Sequence, residues 1–133
     1  MTTPEFVVDT SALAAIVLNE PGAAKALAHL EDGGCVMHEV NVSELCFTLP
    51  RKRPIDFSPA TVRVLIERLT IRVMGGFSPD MGRLVADIRL ENQALNLGDG
   101  VAVALAHHMG IPVLTADNAF AKSSMYANVE LIR

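Results

Sequence analysis

The sequence contains few aromatic residues and no tryptophan: aromatic side chains make up 5% of its 133 residues. Charged residues are also sparse at 20%, and the formal net charge at pH 7 is −4. A chain with this charge does not coat nucleic acid by bulk electrostatics, although a local basic patch is still possible. Disordered and collagen-like chains are excluded as well, because half of the residues are hydrophobic.

Cysteine is scarce too, since the chain has only Cys35 and Cys46 and no CxxC pair. This usage excludes a disulfide scaffold and is typical of a reducing compartment. The spacing of Cys35 and His38 would allow a metal site, but no second ligand pair lies at zinc spacing, so a buried strand is the better interpretation. The longest apolar run, residues 12–18, has seven residues against the ~20 needed to cross a bilayer. We therefore expect a cytoplasmic protein without a membrane segment.

The length fits one domain, which we assign to residues 1–133. Strands are predicted at residues 6–8, 35–38, 70–74, 112–115 and 129–132. Helices are predicted at residues 11–18, from 21 to the glycines at 33 and 34, at about 41–49, from 58 to about 69, from 78 to about 95 and at 99–109, with a helical turn at 118–122. Strands that alternate with helices pair in parallel through right-handed crossovers. We therefore expect an α/β fold, a three-layer α/β/α sandwich around a parallel sheet of about five strands.

Acidic residues lie at one predicted edge of this sheet. Asp9 follows the first strand and Asp117 follows the fourth, each at the carboxyl end. Glu44 lies in the first turns of the helix after the second strand, and Asp99 opens the apolar helix before the fourth strand. Ligands of such sheets bind beyond the carboxyl ends of the strands, where the winding reverses. The sequence therefore predicts that the four carboxylates converge at one site.

Four carboxylates in one place repel one another. Two unit charges ~4 Å apart cost on the order of 4 kcal/mol at an effective dielectric constant of about 20, so a cluster without a cation would be strained or partly protonated. Oxygen ligands suit Mg²⁺ or Mn²⁺, and a water polarised by such an ion can attack a phosphodiester. The hydroxyls of Ser11 and Thr115 are candidates to orient that water, and they equally suit a helix cap and a strand end.

Each acid taken alone also has a purely structural interpretation. Asp9 and Asp99 are suited to begin a helix. Asp117 can form a turn with Asn118, and Glu44 can lie on a solvated helix face. The coincidence of all four acids at one predicted edge is what favours a metal site.

Four segments of the chain resemble, in order, the motifs of PIN-domain ribonucleases. They are residues 7–13 (VVDTSAL), 41–45 (NVSEL), 97–99 (LGD) with the alanine-rich helix that follows, and 110–120 (GIPVLTADNAF). Each motif alone is weak, but the ordered set covers essentially the whole chain at compatible spacing. The branch with the greatest resemblance is the VapC toxins of bacterial toxin–antitoxin pairs. Two positions depart from the family pattern: Gly100 stands where Ala or Arg is more usual, and Ala119 where many members have a second Asp.

The resemblance implies an Mg²⁺- or Mn²⁺-dependent endoribonuclease, normally a homodimer, that a cognate antitoxin inactivates by placing its tail in the acidic groove. It also implies roles for individual residues. The catalytic, metal-binding acids would be Asp9, Glu44, Asp99 and Asp117, and the supporting hydroxyls would be those of Ser11 and Thr115. The two departures leave all four acids in place, so they bear on the number of metal ions and on the rate rather than on the chemistry.

A basic run, Arg51, Lys52 and Arg53, follows the helix that carries Glu44. These side chains are candidate contacts for RNA phosphates on the way to the acids. The alternative interpretation is a solvated loop without a specific role.

Two rival functions remain open at this point. A haloacid-dehalogenase-like phosphatase would use Asp9 as its nucleophile, but that chemistry requires a second Asp two residues on, where this chain has Ser11. A catalytically silent PIN-like module that binds RNA or a protein partner would carry the same motifs. Metal binding and RNA cleavage, tested together in Asp9→Asn, separate that module from the nuclease.

Overall fold

The protein is built around a parallel sheet with helices on both faces. A computed structural model describes residues 3–133; residues 1 and 2, which the sequence assigns to the same domain, lie outside the described part. Within residues 3–133 the strands are β1 Phe6–Val8, β2 Cys35–His38, β3 Arg72–Met74, β4 Val113–Thr115 and β5 Val129–Leu131. The helices there are α1 Thr10–Leu18, α2 Ala23–Glu31, α3 Glu39–Lys52, α4 Pro59–Arg68, α5 Pro79–Glu91 and α6 Leu97–Met109, and a 3-10 helix spans Asn118–Ser123.

All neighbouring strands of the sheet run parallel, in the order β3-β2-β1-β4-β5. The chain moves from β1 outward to β2 and β3 and then returns to place β4 on the other side of β1. The winding therefore reverses between β1 and β4, and such a reversal opens a crevice at the carboxyl ends of the strands. The predicted α/β sandwich with about five parallel strands is confirmed.

The core has two halves because successive strand residues point to opposite faces of the sheet. The strand residues that pack with α1–α4 include Val8, Met37 and Leu114, and those that pack with α5 and α6 include Val7, Val36 and Val113. Residues 100–106 of α6 are all buried, as the apolar sequence of that helix predicts. Over residues 3–133, none of the helices combines the length and the apolar character needed to span a bilayer.

Helix α3 is longer at both ends than the sequence predicts. The imidazole of His38 accepts a backbone N–H bond of 3.0 Å in the first turn, so the helix starts before residue 41. The buried side chain of Leu49 fixes the last turns to the core, and the helix continues through Pro50. Arg51 and Lys52 therefore lie in the last turn of a helix, where cations interact favourably with the helix dipole.

The boundary between α5 and α6 also differs from the prediction. Helix α5 ends at Glu91 rather than near residue 95, and α6 begins at Leu97 rather than at Asp99. The side chain of Asn96 accepts the N–H of Asp99 at 2.8 Å, and the Asp99 carboxylate accepts the N–H of Asn96 at 3.0 Å. This reciprocal capping box starts α6 earlier and fixes the Asp99 carboxylate in its first turn.

Candidate functional site

The four acids predicted from the sequence line one pocket at the carboxyl edge of the sheet. The pocket has a volume of about 310 Å³ and lies where the winding reverses between β1 and β4. Its lining includes the acids Asp9, Glu20, Glu44, Asp99 and Asp117, the polar residues Thr10, Ser11, Thr48 and Asn96, and the cations Lys52 and Arg133. Five carboxylates thus face two cations, so the pocket is strongly acidic.

Chemistry rather than size distinguishes this pocket. A larger cavity of about 440 Å³ lies beside β3 and α5, and its lining is mostly apolar side chains and glycines. Among the residues described there, Asp80 supplies the single carboxylate. The acidic pocket is therefore the better candidate for hydrolytic chemistry.

Asp9 is the most buried of the four acids, with 2% of the residue exposed. Its Oδ2 accepts hydrogen bonds from Ser11 Oγ at 2.7 Å and from Thr115 Oγ1 at 2.9 Å. Its Oδ1 is buried and has no hydrogen-bond partner among the described residues. Burial raises the pKa of Asp9 above its usual value, and the hydrogen bonds to its side chain oppose this only in part. A bare buried carboxylate oxygen of this kind is satisfied by a cation or an ordered water.

Glu44 is held in a fixed orientation by two donors. Its Oε1 accepts hydrogen bonds from Thr10 Oγ1 at 3.0 Å and from Asn41 Nδ2 at 2.9 Å. Asn41 Nδ2 also donates to the carbonyl oxygen of Gly98 at 2.9 Å, which joins α3 to the first turn of α6. A Cβ atom at position 98 would collide with the Glu44 carboxylate. Glycine at this position is therefore what admits Glu44 to the pocket.

The acidity of Asp99 is also altered: its pKa is raised to about 7. Burial is the largest cause, and repulsion from Asp9, Glu44 and Asp117 adds to it, whereas the capping hydrogen bond from Asn96 acts in the opposite direction. The three repelling groups are the other predicted acids. Asp99 therefore lies close enough to the other three carboxylates for its acidity to respond to their charge.

Asp117 has a structural role as well as a place in the pocket. Its Oδ1 accepts the N–H of Ala119 at 2.9 Å and caps the 3-10 helix, so the turn considered as an alternative is present. Its own N–H donates to Thr115 Oγ1 at 3.1 Å.

The Ser11 and Thr115 hydroxyls both donate to Asp9. In this structure, therefore, the two supporting hydroxyls orient a carboxylate.

The basic run lies beside the pocket and is exposed. Of its three members, Lys52 contributes to the pocket lining. The guanidinium of Arg51 lies over the ring of Phe47, 5.5 Å from the ring centroid. Contact between Arg51, Lys52, Arg53 and RNA stays a prediction.

Within residues 3–133, no set of three or more His, Cys, Asp or Glu side chains is arranged so as to hold a metal ion. Cys35 and His38 lie in the fully buried strand β2, which agrees with the strand interpretation. The acidic pocket nevertheless suits a hard divalent cation, because it offers carboxylate oxygens and one of them, Asp9 Oδ1, is bare. Mg²⁺ usually keeps several waters and binds through one or two carboxylates. A hydrated ion held directly by few of the acids therefore fits these residues, and the assignment of the four acids as ligands stays a prediction.

Thr10 and Asn41 were not predicted as part of this site, although both donate hydrogen bonds to Glu44. A signal for Asn41 was present, because it precedes Glu44 by three residues and therefore shares its face of a helix. Thr10 follows Asp9 directly, at the start of α1. The contact of Thr10 with Glu44 could not be predicted without knowing that α1 packs against α3.

Replacing Asn41 with alanine is expected to lower the free energy of unfolding by about 1–3 kcal/mol, because it leaves buried partners without their hydrogen bonds. It should also weaken Mn²⁺ binding, since Glu44 Oε1 loses one of its two donors. Val42→Ala is the matched control: Val42 is equally buried on α3, and the substitution costs stability by leaving a cavity. Urea unfolding and Mn²⁺ titration of both variants check this, and equal Mn²⁺ affinities would contradict it.

A protein family model covers most of the chain. The family model for the PIN domain matches residues 6–124 of the chain. No curated protein matches the chain in sequence. The family match therefore spans all four acids.

Several solved structures with the same fold are described as toxins or toxin–antitoxin complexes. A toxin–antitoxin complex from Klebsiella pneumoniae matches with a TM-score of 0.72 at 18% identity, covering 97% of this chain and 98% of that chain. The Mycobacterium tuberculosis toxin VapC20, described as cleaving the sarcin–ricin loop, matches with a TM-score of 0.72 at 16% identity, covering 95% and 99%. DNA-bound VapBC from Salmonella typhimurium matches with a TM-score of 0.70 at 14% identity, covering 98% and 100%. The chain has the fold of these VapC toxins, and it belongs to the PIN-domain family.

Proposed function

We propose that this chain is a divalent-metal-dependent endoribonuclease, the toxin of a toxin–antitoxin pair. The observation that carries the proposal is the convergence of Asp9, Glu44, Asp99 and Asp117, from four separate segments, on one pocket. Membership of the PIN-domain family supports a nuclease. The structural neighbour described as cleaving the sarcin–ricin loop supports RNA as the substrate class.

Some residues of the pocket orient the carboxylates, and others set its charge. Asp9 presents its bare Oδ1 while Ser11 and Thr115 hold Oδ2. Glu44 is oriented by its neighbours, and Asp99 and Asp117 bring two further carboxyl groups to a pocket whose lining also includes Lys52 and Arg133. A bound Mg²⁺ or Mn²⁺ would supply a polarised water and would neutralise charge on the scissile phosphate.

The proposal also includes partners. A pocket with five carboxylates and two cations suits a basic segment of an antitoxin, by charge complementarity. The structural neighbours from Klebsiella pneumoniae and Salmonella typhimurium are described as toxin–antitoxin assemblies. A homodimer and a cytoplasmic location complete the proposal, the first from the resemblance to VapC toxins and the second from the two free cysteines, which suit a reducing compartment.

A second candidate is a catalytically silent module that binds RNA or a partner with the same fold. The observation that favours it is that no ready-made set of metal ligands exists within residues 3–133. The two candidates differ in one outcome, which is cleavage.

The test is incubation of the purified chain with RNA in Mg²⁺, in Mn²⁺ and in excess chelator. We expect internal cleavage only with the divalent ion. Asp9→Asn should lose Mn²⁺ binding and should lower the cleavage rate by at least about a hundredfold, since even residues that only support metal ligands cost 10–100-fold when mutated. RNA binding without cleavage by the wild-type chain at any metal concentration would instead favour the silent module.

A further inference from the structure

We propose that Phe47 and Arg51 form a platform on which an unpaired base of RNA stacks beside the acidic pocket. The inference rests on the proposed function, because that function brings RNA to this edge of the sheet. Its first observation is exposure: 62% of Phe47 is accessible to solvent, in a chain that has five phenylalanines, one tyrosine and no tryptophan. A large ring left in water on a helix is a candidate contact surface.

The platform lies directly beside the pocket on helix α3. Glu44, Thr48 and Lys52 line the pocket, and they follow one another at intervals of four residues along one side of the helix. Phe47 lies three residues after Glu44, and Arg51 lies three residues after Thr48. The two side chains therefore form the adjacent row of the helix, on the solvent side. RNA whose backbone enters the pocket across this side of α3 would pass the ring of Phe47.

The chemistry of the pair matches a nucleobase. The Arg51 guanidinium lies 5.5 Å from the centroid of the Phe47 ring, a cation–π arrangement that orders the ring and the cation together. Proteins that bind single-stranded nucleic acid combine stacking aromatic side chains with cations along the backbone path. Lys52 and Arg53 supply those cations here. Base faces are covered in a duplex, so the platform favours single strands and loops.

The charge around the ring decides between RNA and a protein partner. Arg51, Lys52 and Arg53 form an unbroken cationic run beside Phe47. This run attracts a polyanion and repels the basic segment that the acidic pocket suits. An apolar protein contact would also accept any apolar side chain at position 47, whereas base stacking requires a ring. That difference makes the two occupants separable.

The test measures binding of a short unstructured oligouridylate carrying one 2-aminopurine, in an Asp99→Asn background that leaves the RNA intact. Phe47→Ala and Phe47→Leu are expected to raise the Kd about fivefold or more and to abolish the quenching that accompanies stacking. Phe47→Trp is expected to keep the wild-type affinity and the quenching, because it retains an aromatic ring. Leu90→Ala is the matched control, because Leu90 is 70% exposed on α5, on the other face of the sheet, and should change nothing. Phe47→Ala should leave the salt dependence of binding unchanged, while Lys52→Gln should lower its slope by about one.

Wild-type affinity and quenching in Phe47→Leu would overturn the platform and assign the ring to an apolar protein contact. Absence of any binding to the oligonucleotide would overturn it as well. The outcome is separate from that of the proposed function. A wild-type chain that never cleaves RNA but quenches 2-aminopurine through Phe47 would contradict the nuclease proposal and support the platform. Cleavage of RNA that does not depend on Phe47 would support the nuclease proposal and contradict the platform.

Discussion

Replacing Asp99 with asparagine is expected to abolish RNA cleavage while keeping or raising the stability of the metal-free protein. Cleavage falls because the pocket loses a carboxylate at the centre of the acidic cluster, and we expect a loss of at least about a hundredfold. Folding is retained because asparagine keeps the side-chain oxygen that accepts the N–H of Asn96. Initial rates of RNA cleavage and urea unfolding in the presence of chelator measure the two effects.

The effect on stability should depend on pH, with a definite sign. Burial and the neighbouring carboxylates raise the pKa of Asp99 to about 7 in the folded chain, against 3.8 for the unperturbed group. Between these two values the folded state binds more protons than the unfolded state, so this group makes the metal-free protein less stable as the pH rises from about 4 to above 7. Asp99→Asn removes that loss, and its advantage should be larger at pH 8 than at pH 5.

Asp87→Asn is the control for this measurement, because it makes the same substitution at an exposed residue of α5 that does not line the acidic pocket. An Asp99→Asn chain that fails to fold would contradict the account, because asparagine keeps the oxygen that caps the helix. Retained cleavage in a folded Asp99→Asn chain would contradict it equally.

Mn²⁺ or Mg²⁺ should raise the melting temperature of the wild-type chain. An ion that binds only the native state adds about 1.4 kcal/mol at ten times its Kd, which corresponds to a shift of a few degrees for a domain of this size. The ion competes with a proton for Asp99, so the shift should grow as the pH rises from 6 to 8. Thermal melts at both pH values, with and without the ion, measure it.

Asp99→Asn again provides the comparison, since it should show a smaller shift and less growth with pH than the wild-type chain. A wild-type melting curve that the ions leave unchanged at both pH values would count against the site. An equal shift in Asp99→Asn would show that Asp99 does not contribute to ion binding.

The fold could be predicted from the sequence because the hydrophobic pattern and the residues that start and end helices agree along most of the chain. Serine followed by proline starts α4 and α5, and glycine ends α6, in agreement with the prediction. The errors fall at ends that depend on side-chain contacts. Thr70 has a positive φ of 56°, which excludes it from the predicted strand, and β3 begins two residues later. The extension of α3 past Pro50 depends on tertiary packing that local sequence does not contain.

The candidate site was partly predictable for a different reason. Carboxylates that follow strand ends converge in any parallel sheet, so the approach of Asp9 to Asp117 follows from topology alone. The contact between Asn41 and Gly98 depends on how α3 crosses α6, so it could not be predicted from residue spacing in the sequence. The same holds for the Phe47 ring, whose exposure follows from which face of α3 the core covers.

We propose above that four carboxylates distant in sequence form one site for a divalent cation. A crystal of the chain grown with Mn²⁺, examined for anomalous scattering, tests it most directly. We predict a peak in the acidic pocket within about 2.5 Å of Asp9 Oδ1, with waters completing the coordination. A well-ordered pocket without a peak at millimolar Mn²⁺, or a peak bound only by residues outside the pocket, would contradict the claim.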